Sequence, residues 1–413
     1  MDENTWVERL DGVPRVLDLT DAAHLAQVRT LAETLASDSD GPGELSALES
    51  DWATRKKEIP LMAHLAVKLA LSRALLREIR GPVRLSVVFA VYKEHTRILT
   101  RDEHPHGEDF LREKIRQLRW LCDGRDDATW DLTVVDDGCP EGSGRIAARI
   151  LDEDPGADGR VMFLGDACGG DHPAVRPLAT PDDSRKGGSI LCGLWEAAAE
   201  PDPRRVVIFT DADLSTHLGQ AGLLAHAILD GGADAAIGSR REPTSVAVKK
   251  GTRNVRGKLF IYLWKRLFPP LREIVDTQCG FKAFRADIVR EICADTLEKQ
   301  FAFDIELLLR TELRRPHSIR KIPVAWIDSE AASTTTDLQP YLPMLRSMVA
   351  MYRRYLEPDA AADAFCRLIE ELDPEAWNRL VERVPAAIAE REPNEFGDWC
   401  GVEADELRRL SRG

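Results

Sequence analysis

Four apolar residues followed by two acids constrain this chain more than anything else in it. Val206-Val207-Ile208-Phe209 has strand length, is mostly β-branched and is apolar on both faces. That is the pattern of a strand buried inside a mostly parallel, helix-covered sheet. The run stops at Thr210-Asp211-Ala212-Asp213. Open α/β sheets bind ligands just beyond the carboxyl ends of their strands. In extended backbone, residues i and i+2 point the same way, so Asp211 and Asp213 can turn both carboxylates toward one hard divalent cation. A lone Asp-x-Asp is more often a helix cap beside a solvated acid, so its neighbours must decide.

Those neighbours repeat the arrangement. Val83–Val91 is a strand followed by Tyr92-Lys93-Glu94-His95, and 131–135 is a strand ending in Asp136-Asp137-Gly138, with a helix expected over 142–150. After a short strand at 161–164 and a loop over 165–185 rich in Gly, Pro and Asp, Lys186-Gly187-Gly188-Ser189 opens a helix. Lys186 and the backbone of Gly187 and Gly188 there form a candidate anion contact. Strand 233–238 runs into Ser239-Arg240-Arg241, and a third acidic pair, Asp304 and Glu306, falls at a helix start. Strands alternating with helices predict an α/β fold, a mostly parallel sheet with helices on both faces. Helical extensions flank it, over 1–80 and 355–413, leaving 81–354 as the main domain; the acidic carboxy-terminal extension is a packing or homodimerisation element.

Composition removes some functions. A net charge of −14 and a pI near 5.3 exclude general nucleic-acid binding, which needs a basic footprint. The 8 cysteines include no Cys-x-x-Cys pair, which suits reduced thiols in a cytoplasmic protein. No basic-then-apolar leader opens the chain, and no uncharged apolar run has bilayer length. The basic, amphipathic stretch 249–272 has two readings. It lies on an anionic membrane surface, or it is a mobile flap closing over a diphosphate, and the second is favoured.

The ordered series Val-Val-Asp-Asp-Gly, Lys-Gly-Gly, Asp-Ala-Asp-Leu-Ser, Gly-Ser-Arg, Asp-Thr-Gln-Cys-Gly-Phe-Lys and Phe-Asp-Ile-Glu resembles the family 2 glycosyltransferases with the GT-A fold. Within that family it is most similar to the dolichyl-phosphate glucosyl- and mannosyltransferase branch, over roughly residues 83–335. The resemblance implies a nucleoside diphosphate sugar donor, Mg2+ or Mn2+, an inverting single displacement, and an acceptor hydroxyl or a polyprenyl phosphate. It places Tyr92, Glu94, Asp136, Asp137, Lys186, Gly187, Asp211, Arg240, Asp276 and Gln278 around the donor. Asp211 and Asp213 take the metal, Asp304 becomes the general base, and Glu306 supports it. Two departures stand out: Ala90-Val91-Tyr92-Lys93-Glu94 replaces the usual Pro-Ala-Tyr-Asn-Glu, and His217 stands where a proline is usual, as a further candidate metal contact. The competing readings are sugar nucleotidyl transfer, which releases pyrophosphate, and a non-catalytic nucleotide-sugar-binding protein.

Overall fold

The computed structural model describes residues 10, 12–248, 255–328 and 340–412. Three helices come first, α1 (Ala22–Ser37), α2 (Pro42–Thr54) and α3 (Leu61–Glu78). The sheet region follows with β1 (Val83–Val91), α4 (Phe110–Cys122), β2 (Ala128–Asp136), α5 (Ser143–Asp152), β3 (Gly159–Phe163), α6 (Gly187–Ala197), β4 (Arg205–Thr210), α7 (Ala221–Leu229) and β5 (Ala235–Ser239). Then come β6 (Val246–Val248), α8 (Val255–Leu267), β7 (Phe281–Arg285), α9 (Ala286–Cys293), α10 (Phe303–Arg314), β8 (Ile319–Pro323) and β9 (Ala325–Ile327). The chain closes with α11 (Tyr341–Tyr355), α12 (Ala360–Glu371), α13 (Pro374–Glu382), α14 (Ala386–Ala389) and α15 (Ala404–Arg412).

Seven strands form one sheet in the order β3-β2-β1-β4-β7-β5-β8. All neighbouring pairs are parallel except those made by β7, which runs antiparallel to both β4 and β5. The expected α/β sheet with helices on both faces is therefore what the chain forms. Alternation along the central strands assigns their faces. Leu85, Val87, Phe89, Val206 and Ile208 enter one core with α1, α3 and α7; Val88, Val135, Val207 and Phe209 enter another with α6 and α9. Burial of both faces explains why β4 reads as an unbroken apolar run.

Helix α3 ties the amino-terminal helices into that first core. It is buried almost all round, and Gly222 of α7 lies so close to Ser72 that a Cβ there would meet the Ser72 carbonyl. Lys68, 1% exposed, pairs with Glu49 of α2 and donates to the Pro323 carbonyl at 3.2 Å. A buried ammonium needs such partners, because an isolated charge is costly away from water.

The antiparallel strand decides what meets at the functional edge. Strands β1, β2, β4 and β5 all leave the sheet at the same side. Because β7 runs the other way, the residues entering it, 276–280, arrive at that side too.

From Val255 onward the basic stretch departs from both readings offered for it. Residues 249–254 lie outside the described residues. Residues 259–267 of α8 are buried all round, in a third core with α11, α12 and α13. Its cations bind the carboxy-terminal segments. Lys258 donates to the Ala389 carbonyl at 2.7 Å, and Arg266 reaches the carbonyls of Phe396 and, at 3.1 Å, Gly397. Tyr262 donates to the Val402 carbonyl at 2.7 Å. A helix wrapped in this way is neither a free flap nor a membrane-facing surface. No helix among the described residues is long and apolar enough to cross a membrane.

Candidate active site

At the exit of β1, Tyr92 is 41% exposed, with the Lys93 ammonium 5.4 Å from its ring centroid. Glu94 is held by Arg97 at 3.0 Å, and its N–H donates to Ser143 Oγ at 2.9 Å. Arg97 also grips Glu108 through two bonds of 2.9 and 3.0 Å. Burial pushes the Glu94 carboxyl up; Arg97 opposes this, while Asp213 and Glu108 add to it.

The two acids after β2 have separate tasks. Asp136 does not face a donor: Oδ1 accepts the Cys139 N–H at 2.7 Å and Oδ2 the Gly144 N–H at 2.6 Å. Both oxygens thus close the turn into α5, which corrects its assignment as a donor contact. Asp137 reaches across to the Lys186 turn, accepting the Lys186 N–H at 2.9 Å and the Ser189 hydroxyl at 2.7 Å.

Lys186 caps α6 with φ +76°, a left-handed conformation uncommon for a side chain of this size. Its ammonium is bonded to Asp211. Burial works against that charge and Asp211 outweighs it, so Lys186 sits above its usual value. Of the two glycines beside it, Gly188 does not offer its N–H to an anion. The Gly188 N–H donates to the Lys299 carbonyl at 2.8 Å, and a Cβ at Gly187 would collide with the backbone of Lys299 and Gln300. Gly187 is needed for close approach.

Asp211 and Asp213 stand at the exit of β4, both partly exposed. Burial disfavours the Asp211 charge, but Lys186, with Lys282 and Lys114 behind it, holds the carboxyl below its ordinary range. Gly280 packs against this carboxylate, and a Cβ there would overlap it. Lys114 reaches the site from α4, fully buried, donating to the Asp213 carbonyl at 2.8 Å. Burial pulls Lys114 down to about 8, against the attraction of Asp213 and Asp211. Sequence reading missed it, since one lysine in a charged helix carries no local sign of facing inward.

His217 is not a metal contact. Its ring is 1% exposed, Nδ1 accepts the Gly219 N–H at 3.0 Å, and burial pulls it down to about 3. It caps a short turn before α7. Among the described residues no three His, Cys, Asp or Glu side chains form a metal cage. Asp211 and Asp213 nevertheless fit Mg2+ or Mn2+. Both are hard oxygen donors, and such ions are commonly held by one or two carboxylates plus substrate phosphates.

Arg240, after β5, makes a two-pronged bond to Asp276, with Nε at 2.9 Å and Nη at 2.6 Å, and lies over Trp326 at 5.2 Å. Burial opposes the Asp276 charge and Arg240 overrides it, keeping that carboxyl low. At the start of α10, Asp304 accepts Gln278 Nε2 at 2.7 Å and Lys282 Nζ at 3.1 Å. Burial pushes Asp304 up, although Lys282 and Lys186 pull the other way. Glu306 is turned away from the cleft. It has no exposed surface and accepts the N–H groups of Leu297 and Glu298, each at 2.7 Å, and the Tyr355 hydroxyl at 2.5 Å. Its sequence-based place beside the base is corrected accordingly.

One sheet edge therefore gathers Tyr92, Glu94, Lys186, Asp211, Asp213, Arg240, Asp276, Gln278 and Asp304. In sequence the chain is a homologue of glycosyltransferases. It is 28% identical over 285 residues to the dolichyl-phosphate β-glucosyltransferase of Drosophila melanogaster, covering 66% of this chain and 76% of that protein. It is 29% identical over 202 residues to the undecaprenyl-phosphate mannosyltransferase of Micrococcus luteus, covering 48% and 73%. Glycosyltransferase AglD of Haloferax volcanii is 28% identical over 245 residues, 59% of this chain but 33% of AglD, so the match spans about a third of that relative. No protein-family model matches the chain.

Proposed function

We propose that this protein is an inverting, metal-dependent glycosyltransferase. It moves a sugar from a nucleoside diphosphate sugar to an acceptor hydroxyl or to a phosphate of the polyprenyl type. The observation that carries the reading is the pairing of two acidic stations on one edge, each matched by its own lysine. Asp211 and Asp213 stand with Lys186; Asp304 stands with Lys282 and Gln278. The names of the relatives support a polyprenyl-phosphate acceptor and a hexose as the group moved.

In this reading Tyr92 offers a ring face for the base, and Asp137 acts on the donor through the Lys186 turn. Asp211 and Asp213 would hold Mg2+ or Mn2+, which supplies electrostatic stabilisation of the departing diphosphate. Lys186 sits beside Asp211, where its ammonium holds the diphosphate equally in the bound donor and in the transition state. The acceptor oxygen attacks the anomeric carbon, and the electron pair of the carbon–oxygen bond leaves with the diphosphate. Asp304 takes the proton from a hydroxyl acceptor, and its raised pKa makes it a better base than an ordinary carboxylate. An ionised phosphate needs no such base, and Asp304 then only holds Lys282 and Gln278 in place.

The test begins with a thermal-shift screen of nucleoside diphosphate sugars with and without manganese or magnesium. Asp213→Ala should lose metal-dependent donor binding, whereas Asp304→Asn should keep it and lose transfer to a hydroxyl. Equal loss of donor binding in both variants refutes the division of roles, and pyrophosphate as product identifies nucleotidyl transfer instead.

A further inference from the structure

Glu306 and Tyr355 do not touch the cleft, yet a chain of hydrogen bonds leads from them to Lys186. Tyr355 is the last residue of α11, and its hydroxyl donates to Glu306 Oε1 at 2.5 Å. Glu306 in turn accepts the backbone N–H groups of Leu297 and Glu298. This fixes the turn over residues 296–300, which Lys299 braces from within by donating to the Thr296 carbonyl at 2.7 Å. The Lys299 carbonyl then accepts the N–H groups of Gly188 at 2.8 Å and Arg185 at 3.3 Å, on either side of Lys186. Gly187 lies hard against the same backbone. Displacement of the turn must therefore move the residues that flank Lys186.

The conformation of Lys186 makes this matter. A non-glycine residue at φ +76° persists only where its surroundings over-determine it. Here the surroundings are Asp137, Asp211 and the Lys299 carbonyl. We infer that Glu306 and Tyr355 are positioning residues, acting through the 296–300 turn on Lys186, so that the carboxy-terminal helices set how firmly the donor diphosphate is held. The inference rests on the proposed donor role of Lys186 and Asp211. It also gives the Glu306 of the Phe-Asp-Ile-Glu motif a task separate from that of Asp304.

Tyr355→Phe removes one hydroxyl and leaves the ring, which packs beside Arg310 and Arg354 at 5.8 and 5.6 Å. Glu306→Gln leaves a single acceptor oxygen for three donors. The experiment compares hydrogen exchange in the full-length wild type and both variants, over residues 185–192 and 296–300, with 221–229 as control. Calorimetry with UDP and with GDP in manganese accompanies it. Exchange at the first two segments should quicken and nucleotide affinity fall by about 3- to 10-fold, more in Glu306→Gln, as expected for losing bonds to a buried carboxylate. With the donor identified, KM should rise while kcat stays within about twofold, the signature of lost binding common to ground and transition states.

Unchanged exchange at 185–192 in both variants overturns the linkage, as does equal acceleration at 221–229. Quickened exchange with unchanged affinity overturns the donor-holding role. If the wild type binds neither UDP nor GDP, the donor-holding role fails together with the proposed function, while exchange still decides the linkage.

Discussion

Replacing Lys282 with methionine removes a charge from inside the site and keeps most of its volume. Lys282 has no exposed surface; its ammonium donates to Asp304 at 3.1 Å and to the Cys279 carbonyl at 2.5 Å, and lies 5.1 Å from the Phe209 ring centre. Asp304 is 5% exposed, and its other oxygen takes Gln278. Burial already pushes Asp304 up with Lys282 in place. Without that partner an ionised Asp304 is a buried, poorly compensated charge, and breaking such a pair from one side costs about 3–5 kcal/mol. The pH dependence follows from the sign. A carboxyl whose folded pKa lies above its unfolded value costs stability as pH rises from the unfolded value through the folded one, and costs nothing below both. Loss of Lys282 raises the folded value further. The deficit of Lys282→Met should therefore be greatest at neutral pH and shrink as the solution is acidified. Asp304→Asn added to Lys282→Met should restore much of the loss, with a coupling of about 2 kcal/mol. Urea unfolding of wild type, both single variants and the double variant at pH 5 and pH 8 measures this. Strict additivity, or a deficit that does not change with pH, refutes the reasoning.

Gly280→Ala should weaken manganese-dependent nucleotide binding by about tenfold or more, because its Cβ overlaps the Asp211 carboxylate and displaced supporting groups weaken metal sites on that scale. Gly43→Ala, with open space around it, should bind like wild type in the same calorimetry. Burial pulls His64 down to about 4 and His217 to about 3. Both stay neutral in the fold, so stability is full above the unfolded value and falls as pH drops from about 6.5 toward 4, by up to about 1.4 kcal/mol per pH unit for each ring. His64→Phe and His217→Asn should flatten that slope in thermal melts, and His217→Asn should leave manganese affinity unchanged. Arg266→Met, which unties α8 from the Phe396 and Gly397 carbonyls, should cost about 2 kcal/mol or more. The same variant should sediment with anionic vesicles no differently from wild type.

The sequence by itself determined the strands and the acids that follow them. Val206–Phe209 can only be a strand buried on both faces, and its end places Asp211 and Asp213 at a sheet edge, because backbone period and burial act over a few residues. The cap of α1 is equally local: Asp21 accepts the N–H groups of Ala23 and His24, two and three residues further on. Which way neighbouring acids face was not local information. Asp136 and Asp137 adjoin in sequence, yet one closes the turn into α5 and the other holds Lys186. Asp304 and Glu306 start one helix, yet one looks into the cleft and the other into the protein. Lys114 and Lys282 entered the site only once α4 and β7 were packed against the sheet. The antiparallel course of β7, which carries Asp276 and Gln278 to the edge where β4 ends, follows from strands pairing across more than 70 residues of chain, roughly the span from β4 to β7. The basic helix α8 shows the same limit: charge spacing describes a surface, and only the carboxy-terminal helices around it decide that it is a core.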